Sequence, residues 1–297
     1  MEHLACNVYQ WGRPSADRLL AECLAPEVLA LRREGLARSF WFQRFDARGP
    51  HLFVLVAAPA GQGGALRTRL DARLAAWLAR HPCPERLPDD VLAARHAQCR
   101  GKQLSALDAE PGFALNNTVA WAAHPAHGYP LWLTAGVAEE EALWDLLSGL
   151  AAWTAAGTGS AVRWVADVDA ALRRAHPEAG GAWPHHASTL LMDLEERMAR
   201  DAAVVLDALP RVIGAGNAAR FGSVWDAAER GPSAWAPLPE LLRIILADDG
   251  RSPDARLRLL REVNHGVLGQ LGQPVAAHVP LVLFAWTRWL VPRPEAA

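Results

Sequence analysis

SFWFQRFDARGPHLFVLVA, residues 39–57, decides the fold. SFWFQRF sets large apolar side chains around Gln43 and Arg44, and HLFVLVA is a near-continuous apolar run of strand length; both read as β-strands. Asp46, Gly49 and Pro50 between them are turn residues. The stretch therefore predicts a hairpin, with a cation, Arg44, and an imidazole, His51, at the two edges of its turn. A packed sheet would hold these two groups rigidly near each other. The plainer reading leaves Arg44 on a solvated strand face and has His51 merely open a strand.

Upstream of the hairpin, Ala5–Trp11 reads as a strand, broken by Gly12 and Pro14, with Ser15 placed to cap a helix. Leu19, Leu20, Cys23, Leu24, Val28, Leu29 and Leu31 then recur at helical spacing over Ala16–Glu34, interrupted near Pro26. Downstream, Leu66–Arg80 is helical, with Leu70, Leu74, Trp77 and Leu78 on one face. A proline-rich loop, Pro82–Pro88, leads to Val91–Gln98, read as one more strand. Strand, helix, two strands, helix is the order of an α+β fold with a ferredoxin-like opening and an antiparallel or mixed sheet, helices on one face. From Ala138 the pattern turns helical: Ala138–Thr154, Ala161–Ala175, His186–Leu209, Pro239–Leu246, Pro253–Leu271 and His278–Val291. Ala155–Ser160 and Gly214–Ser233 read as hinges. The chain is thus expected to be a single enzyme domain over residues 1–297, sheet-rich over 1–135 and helix-rich over 136–297.

The bulk numbers exclude several classes. A net charge of −2 argues against a general nucleic-acid binder, and Lys102 is the only lysine. The four cysteines lack CxxC spacing and are too sparse for a disulfide scaffold, so a reducing cytoplasm is expected. No signal peptide and no membrane span are read. Thirteen Trp against two Tyr is unusual, and Trp can fill a core or line a groove for an apolar substrate.

Chemistry-bearing groups concentrate in LNNTVAWAAHPAHGYP, Leu115–Pro130. Asn116 and Asn117 can donate and accept hydrogen bonds, and His124, His127 and Tyr129 offer acid–base groups that act near neutral pH when tuned. The plainer reading is a surface loop with Asn-Asn as turn residues. HPAH has ligand-like spacing, but no further Cys, Asp or Glu at ligand spacing follows, so no metal is expected. WPHH, Trp183–His186, reads as a helix entry. GAGNAARFG, Gly214–Gly222, is only loosely a dinucleotide loop, since no strand precedes it. EVNHGVLGQLG, Glu262–Gly272, places Asn264 and His265 among apolar neighbours, either as site residues or near a helix C-cap.

FWFQRFDARGPHLFVLV resembles the aromatic-aromatic-x-Arg-aromatic…Pro-His-Leu segment of the small, or elimination, domain of lantibiotic dehydratases, a fold shared with thiopeptide-type bacteriocin biosynthesis proteins. YQWGRPSADRLLAECLAP resembles that family's opening strand and helix, and NHGVLGQLG its late Asn-Arg-x-x-Gly helix. The departures are specific. Eliminases of the family carry arginines on the strand after Pro-His, where this chain has Phe53 and Leu55. Their catalytic His lies about four residues before the late Asn-Arg, which here falls on Leu260 or Arg261, and their Glu-x-x-Arg-Tyr-Gly-Gly motif has no counterpart. Eliminating glutamate needs a base and cations for the leaving carboxylate. A sister branch instead joins two dehydroalanines in a formal [4+2] cycloaddition, and PGFALNNTVAWAAHPAHGYPLWL resembles its central loop.

The resemblance implies a pyridine synthase acting on a dehydrated precursor peptide, leader and core, with no cofactor. It implies catalytic roles for Asn116, Asn117, His124, His127 and Tyr129, and substrate-binding roles for Arg44, His51, Trp121, Asn264 and His265. A homodimer is left open. The alternatives are a stand-alone glutamate eliminase and a non-catalytic leader-peptide-binding subunit.

Overall fold

The computed structural model describes residues 2–99, 106–122, 161–176, 183, 215–231, 233, 235–236, 238–247, 250–271, 282 and 285. The chain divides into two compact units, 1–158 and 159–297.

The first unit runs β1 (Glu2–Tyr9), α1 (Arg13–Leu19), a π-helical turn (Leu20–Leu24), α2 (Ala25–Arg33), β2 (Ser39–Phe45), β3 (His51–Ala58), α3 (Gly63–Arg80), α4 (Asp89–Gln98), a 3₁₀ turn (Ala106–Ala109) and β4 (Thr118–Trp121). The four strands lie in the order β2-β3-β1-β4, and every pairing is antiparallel. This is the ferredoxin-like arrangement read from the element order. Alternation puts Cys6, Val8, Phe40, Phe42, Leu52, Val54 and Val56 on one face. There they bury against Leu19, Leu20, Leu24 and Val28 of the first helical stretch and Leu66, Leu70, Leu74 and Trp77 of α3.

The helix interruption read at Pro26 is real, but it is spent just upstream. Pro26 has no N–H for the Glu22 carbonyl, and its ring crowds that carbonyl. The turn before it widens instead, with the Ala25 N–H donating to the Leu20 carbonyl.

Two further expectations are corrected. Residues 91–98 form not a strand but α4. Pro88 precedes the helix, Asp89 and Asp90 sit in its first turn, and Arg95 and His96 sit in its last, all complementing the helix dipole. These signals outweigh the strand-like Val91-Leu92 pair. The Gly214–Ser233 stretch is no hinge or dinucleotide loop over most of its length, for residues Ala215–Arg230 are helical. Its alanines offset the ~1 kcal/mol that each helical glycine costs.

The second unit holds α5 (Ala161–Ala175), α6 (Ala215–Arg230), α7 (Leu238–Leu246) and α8 (Pro253–Gln270); α5, α7 and α8 match or lie within a residue of the helices read at 161, 239 and 253. Ser252 caps α8, its hydroxyl accepting from the Ala255 N–H at 3.2 Å, and Pro253 occupies the first turn. Trp164, Trp183, Trp225 and Trp235 are all fully buried. The buried Asp169 carboxylate accepts from two of them, Trp183 Nε1 at 2.9 Å and Trp225 Nε1 at 2.9 Å, and from Arg173 Nε at 3.0 Å. The helices read at Ala138–Thr154 and His186–Leu209, most of His278–Val291 and the hinge at Ala155–Ser160 lie outside the described residues.

Candidate functional site

The register of the hairpin separates the two groups that the sequence placed together. Arg44 lies opposite Leu52, and Phe45 opposite His51, so Arg44 and His51 project from opposite faces of the sheet. Arg44 turns to the helices and pairs with Asp17 of α1. Burial lowers its pKa and the Asp17 carboxylate opposes that shift, so the guanidinium is held as one half of a partly buried ion pair.

His51 lies on the other face with Tyr9, its cross-strand neighbour, and Asn7 two residues back. The Tyr9 and His51 rings pack with centroids 4.8 Å apart, and Phe45 meets His51 edge-on at 5.8 Å. The 3₁₀ turn brings in Asp108. Asn7 Nδ2 donates to Asp108 Oδ1 at 3.1 Å and to the Tyr9 hydroxyl oxygen at 3.2 Å. Asn7, Tyr9, His51 and Asp108 are each no more than 4% exposed. His51 Nδ1 lies 2.9 Å from the Gly49 carbonyl, which can only accept, so Nδ1 carries the proton. In the neutral ring Nε2 then presents its lone pair, with no hydrogen-bond partner among the described residues and Asp108 Oδ1 3.7 Å away. Burial pulls the His51 pKa below its usual value, against the pull of the Gly49 carbonyl and Asp108; burial likewise raises Tyr9.

The five-residue turn, 46–50, bends through Arg48 at φ +59° and Gly49 at φ +117°. A Cβ on Gly49 would come within 3.0 Å of Trp11 Nε1, so close approach as well as backbone angle requires glycine there. Arg48 tolerates its left-handed angle at a cost of about 1–2 kcal/mol, offset by a dense set of contacts. Its guanidinium donates to the carbonyls of Leu107 (3.1 Å) and Gly112 (3.2 Å) and pairs with Glu110 (2.5 Å).

Asn116 and Asn117 are committed to the backbone. Asn116 Oδ1 accepts from the N–H groups of Trp11 (3.0 Å) and Asn117 (2.9 Å), and its Nδ2 donates to the carbonyls of Cys83 (3.2 Å) and Glu85 (2.8 Å). Asn117 Oδ1 accepts from the Cys83 N–H at 2.6 Å and Nδ2 donates to its carbonyl at 3.1 Å. The pair staples the start of β4 to the 82–88 loop and the end of β1. Asn117 also sits at φ +61°, where Asn is better tolerated than most residues. Asn117→Ala removes amide and left-handed tolerance together, whereas Asn117→Gly removes only the amide. Thermal unfolding should therefore rank wild type above Gly above Ala, with Ala about 1 kcal/mol below Gly; equal loss in both variants would mean that the backbone angle contributes nothing.

Trp121 faces the helices. Its Nε1 donates to Asp71 at 2.8 Å, and Arg67 stacks over its ring at 5.2 Å. In the second unit Asn264 is buried and accepts from Trp164 Nε1 at 3.1 Å, while His265 beside it is half-buried. His124, His127 and Tyr129 lie outside the described residues. Phe53 and Leu55 are buried on β3, opposite Asn7 and Ala5. Burial lifts the Cys6 thiol to about 12 and Cys23 to about 11, so neither is a nucleophile near neutral pH. Among the described residues no three His, Cys, Asp or Glu side chains cluster to hold a metal, and no helix is long and apolar enough to cross a membrane. Sequence reading passed over Asn7, Tyr9, Asp108 and Asp169. The polar alternation of Asn7 and Tyr9 within an apolar strand was the available signal; Asp108 had none.

Residues 4–120, the stretch that builds this sheet and its helices, match the family of lantibiotic biosynthesis dehydratase C-terminal domains. This unit is lantibiotic-dehydratase-like. Its fold continues through the chain: the pyridine synthase TbtD from thiomuracin biosynthesis superposes with a TM-score of 0.62 at 17% identity, over 97% of this chain and 98% of that one. The tRNA-dependent lantibiotic dehydratase MibB from Microbispora sp. 107891 gives a TM-score of 0.48 at 16% identity, over 97% of this chain and 28% of that one. No curated protein matches the chain. The lantibiotic-dehydratase-like fold is thus the α+β arrangement with a ferredoxin-like opening that the element order predicts.

Proposed function

We propose that the protein matures a ribosomally made precursor peptide as a pyridine synthase, joining two dehydroalanines in a formal [4+2] cycloaddition. One backbone amide tautomerises to a 2-azadiene. Two carbon–carbon bonds then close the ring against the second alkene. Water leaves from the former amide carbon and the leader peptide leaves as an amide, which makes the ring a pyridine. The observation that carries this reading is the fold likeness to a pyridine synthase along nearly the whole of both chains. Phe53 and Leu55 support it: the positions where the resemblance puts elimination arginines are apolar and buried, leaving no cation there for a departing glutamate.

The chemistry is mainly positioning, which holds the alkenes at near-attack distance. His124, His127 and Tyr129 are assigned the proton transfers, which contribute about 10²–10⁴-fold. Asn116 and Asn117 hold the start of β4 through their backbone bonds, and Arg44 and Trp121 hold the helices against the sheet. His51 belongs to the buried cluster with Asp108, and His265, half-buried, is assigned to peptide contact beside Asn264.

The test is incubation with the dehydrated precursor encoded beside the gene. Mass spectrometry should show a leader amide and a macrocycle lighter by leader and water. Unchanged peptide mass overturns the reading. Loss of glutamate from a glutamylated peptide without ring formation would replace it with elimination, and tight leader binding without turnover would replace it with a binding role.

A further inference from the structure

The β2–β3 turn holds more than its own two strands. Arg48 alone reaches two other segments. Its backbone N–H donates to His96 Nδ1 of α4 at 3.2 Å, and its carbonyl accepts from the Ala114 N–H at 2.9 Å. Its guanidinium spans Leu107, Glu110 and Gly112. Residues on both sides of Gly112 are therefore tied to one residue, Leu107 and Glu110 through its side chain and Ala114 through its backbone carbonyl. That same segment delivers Asp108 to His51 and Asn7, and Asn117 to Cys83 and, through its N–H, to the Tyr9 carbonyl at 2.7 Å. The task suits a planar fork of donors with fixed directions, not a point charge.

We propose that Arg48 is a positioning residue that orders segment 106–122, acting through Asp108 and Asn117 to set β4. This rests on the proposed function in one respect: the residues assigned to proton transfer follow β4 in the chain. Arg48 touches no reacting atom. Its loss should lower turnover and leave peptide binding nearly intact.

Two variants separate the contributions. Arg48→Gly accepts the positive φ and removes the guanidinium; Arg48→Lys keeps the charge and removes the fork. Thermal unfolding of the full chain confirms folding first, and Arg48→Lys keeps the test open where the glycine variant does not fold. Hydrogen exchange is measured without peptide. The amides of Ala114, Asn117 and Ala122, each bonded to backbone across segments, should exchange about tenfold faster in both variants, with β2 and β3 unchanged. Kinetics use a synthetic leader–core peptide bearing two dehydroalanines. The value of kcat should fall about tenfold with KM within about twofold, the pattern of a lost transition-state interaction. Unchanged exchange overturns the proposal, as does a normal kcat in a variant whose segment has loosened. Wild-type behaviour of Arg48→Lys overturns it too, because charge alone would suffice. Should the wild type make no ring, the functional reading falls, and the exchange data by themselves decide whether Arg48 orders the segment.

Discussion

Asp169→Ala should destabilise the second unit by about 3–5 kcal/mol, the usual cost of breaking a buried ionic network by removing one partner. Asp169 is fully buried and is the shared acceptor of two indole N–H groups and the Arg173 guanidinium. Alanine takes the carboxylate from all three at once, and the Trp183 and Trp225 indoles stay buried. Each donor deprived of its acceptor pays a desolvation cost of about 1–3 kcal/mol. Against a total stability of about 5–15 kcal/mol, such a loss leaves the unit barely folded. Urea titration followed by tryptophan fluorescence should show a much lower midpoint. Asp169→Asn, which keeps one acceptor oxygen but no charge, should fall between. A wild-type midpoint for the alanine variant would mean that the indoles find other acceptors and that Asp169 does not organise this core.

The second expectation concerns pH. His51 is fully buried, and its pKa in the fold is lowered from its ordinary value, first by burial. The groups facing it are Tyr9 from β1, Asp108 from the 3₁₀ turn, and Asp46 and Arg48 from its own turn. A lowered histidine pKa means that the unfolded chain takes up the proton first. Stability from this group is therefore complete above about pH 6.5 and is lost as pH falls from there toward the lowered folded value. The loss approaches about 1.4 kcal/mol per pH unit for the one proton. Chemical denaturation at pH 7.5, 6.5 and 5.5 should reveal a slope of that sign, and His51→Gln, which cannot titrate, should flatten it. An unchanged slope in the variant would place the titrating group elsewhere.

Most of the fold was legible because it is local. The hairpin at 39–57 announced itself through alternating apolar residues around Asp46, Gly49 and Pro50, and β2 and β3 fall where that pattern put them. The helices at 161, 239 and 253 followed from spacing, and α8 also from the Ser252-Pro253 start. Misreadings arose where two local signals competed. Residues 91–98 show strand-like Val91 and Leu92, yet the charges at both ends favour a helix. Residues 215–230 hold loop-like glycines within an alanine-rich helix.

The site was less legible, since its decisive facts are pairings between distant residues. Composition and spacing found His51, Asn116 and Asn117 as polar residues but could not say what each would meet. That Arg44 and His51 part to opposite faces depends on the hairpin register, and one residue of slip would reverse it. That Asp108 comes to Asn7, a hundred and one residues away in sequence, depends on closing a long loop over the sheet. The asparagines are bound to backbone because the start of β4 partly buries main-chain groups that need partners. Local sequence set most of the strands and helices, because φ/ψ preference and apolar period act over a few residues. Only the tertiary structure decided which polar groups share a buried space, because desolvation and hydrogen-bond satisfaction act on whatever packing brings together.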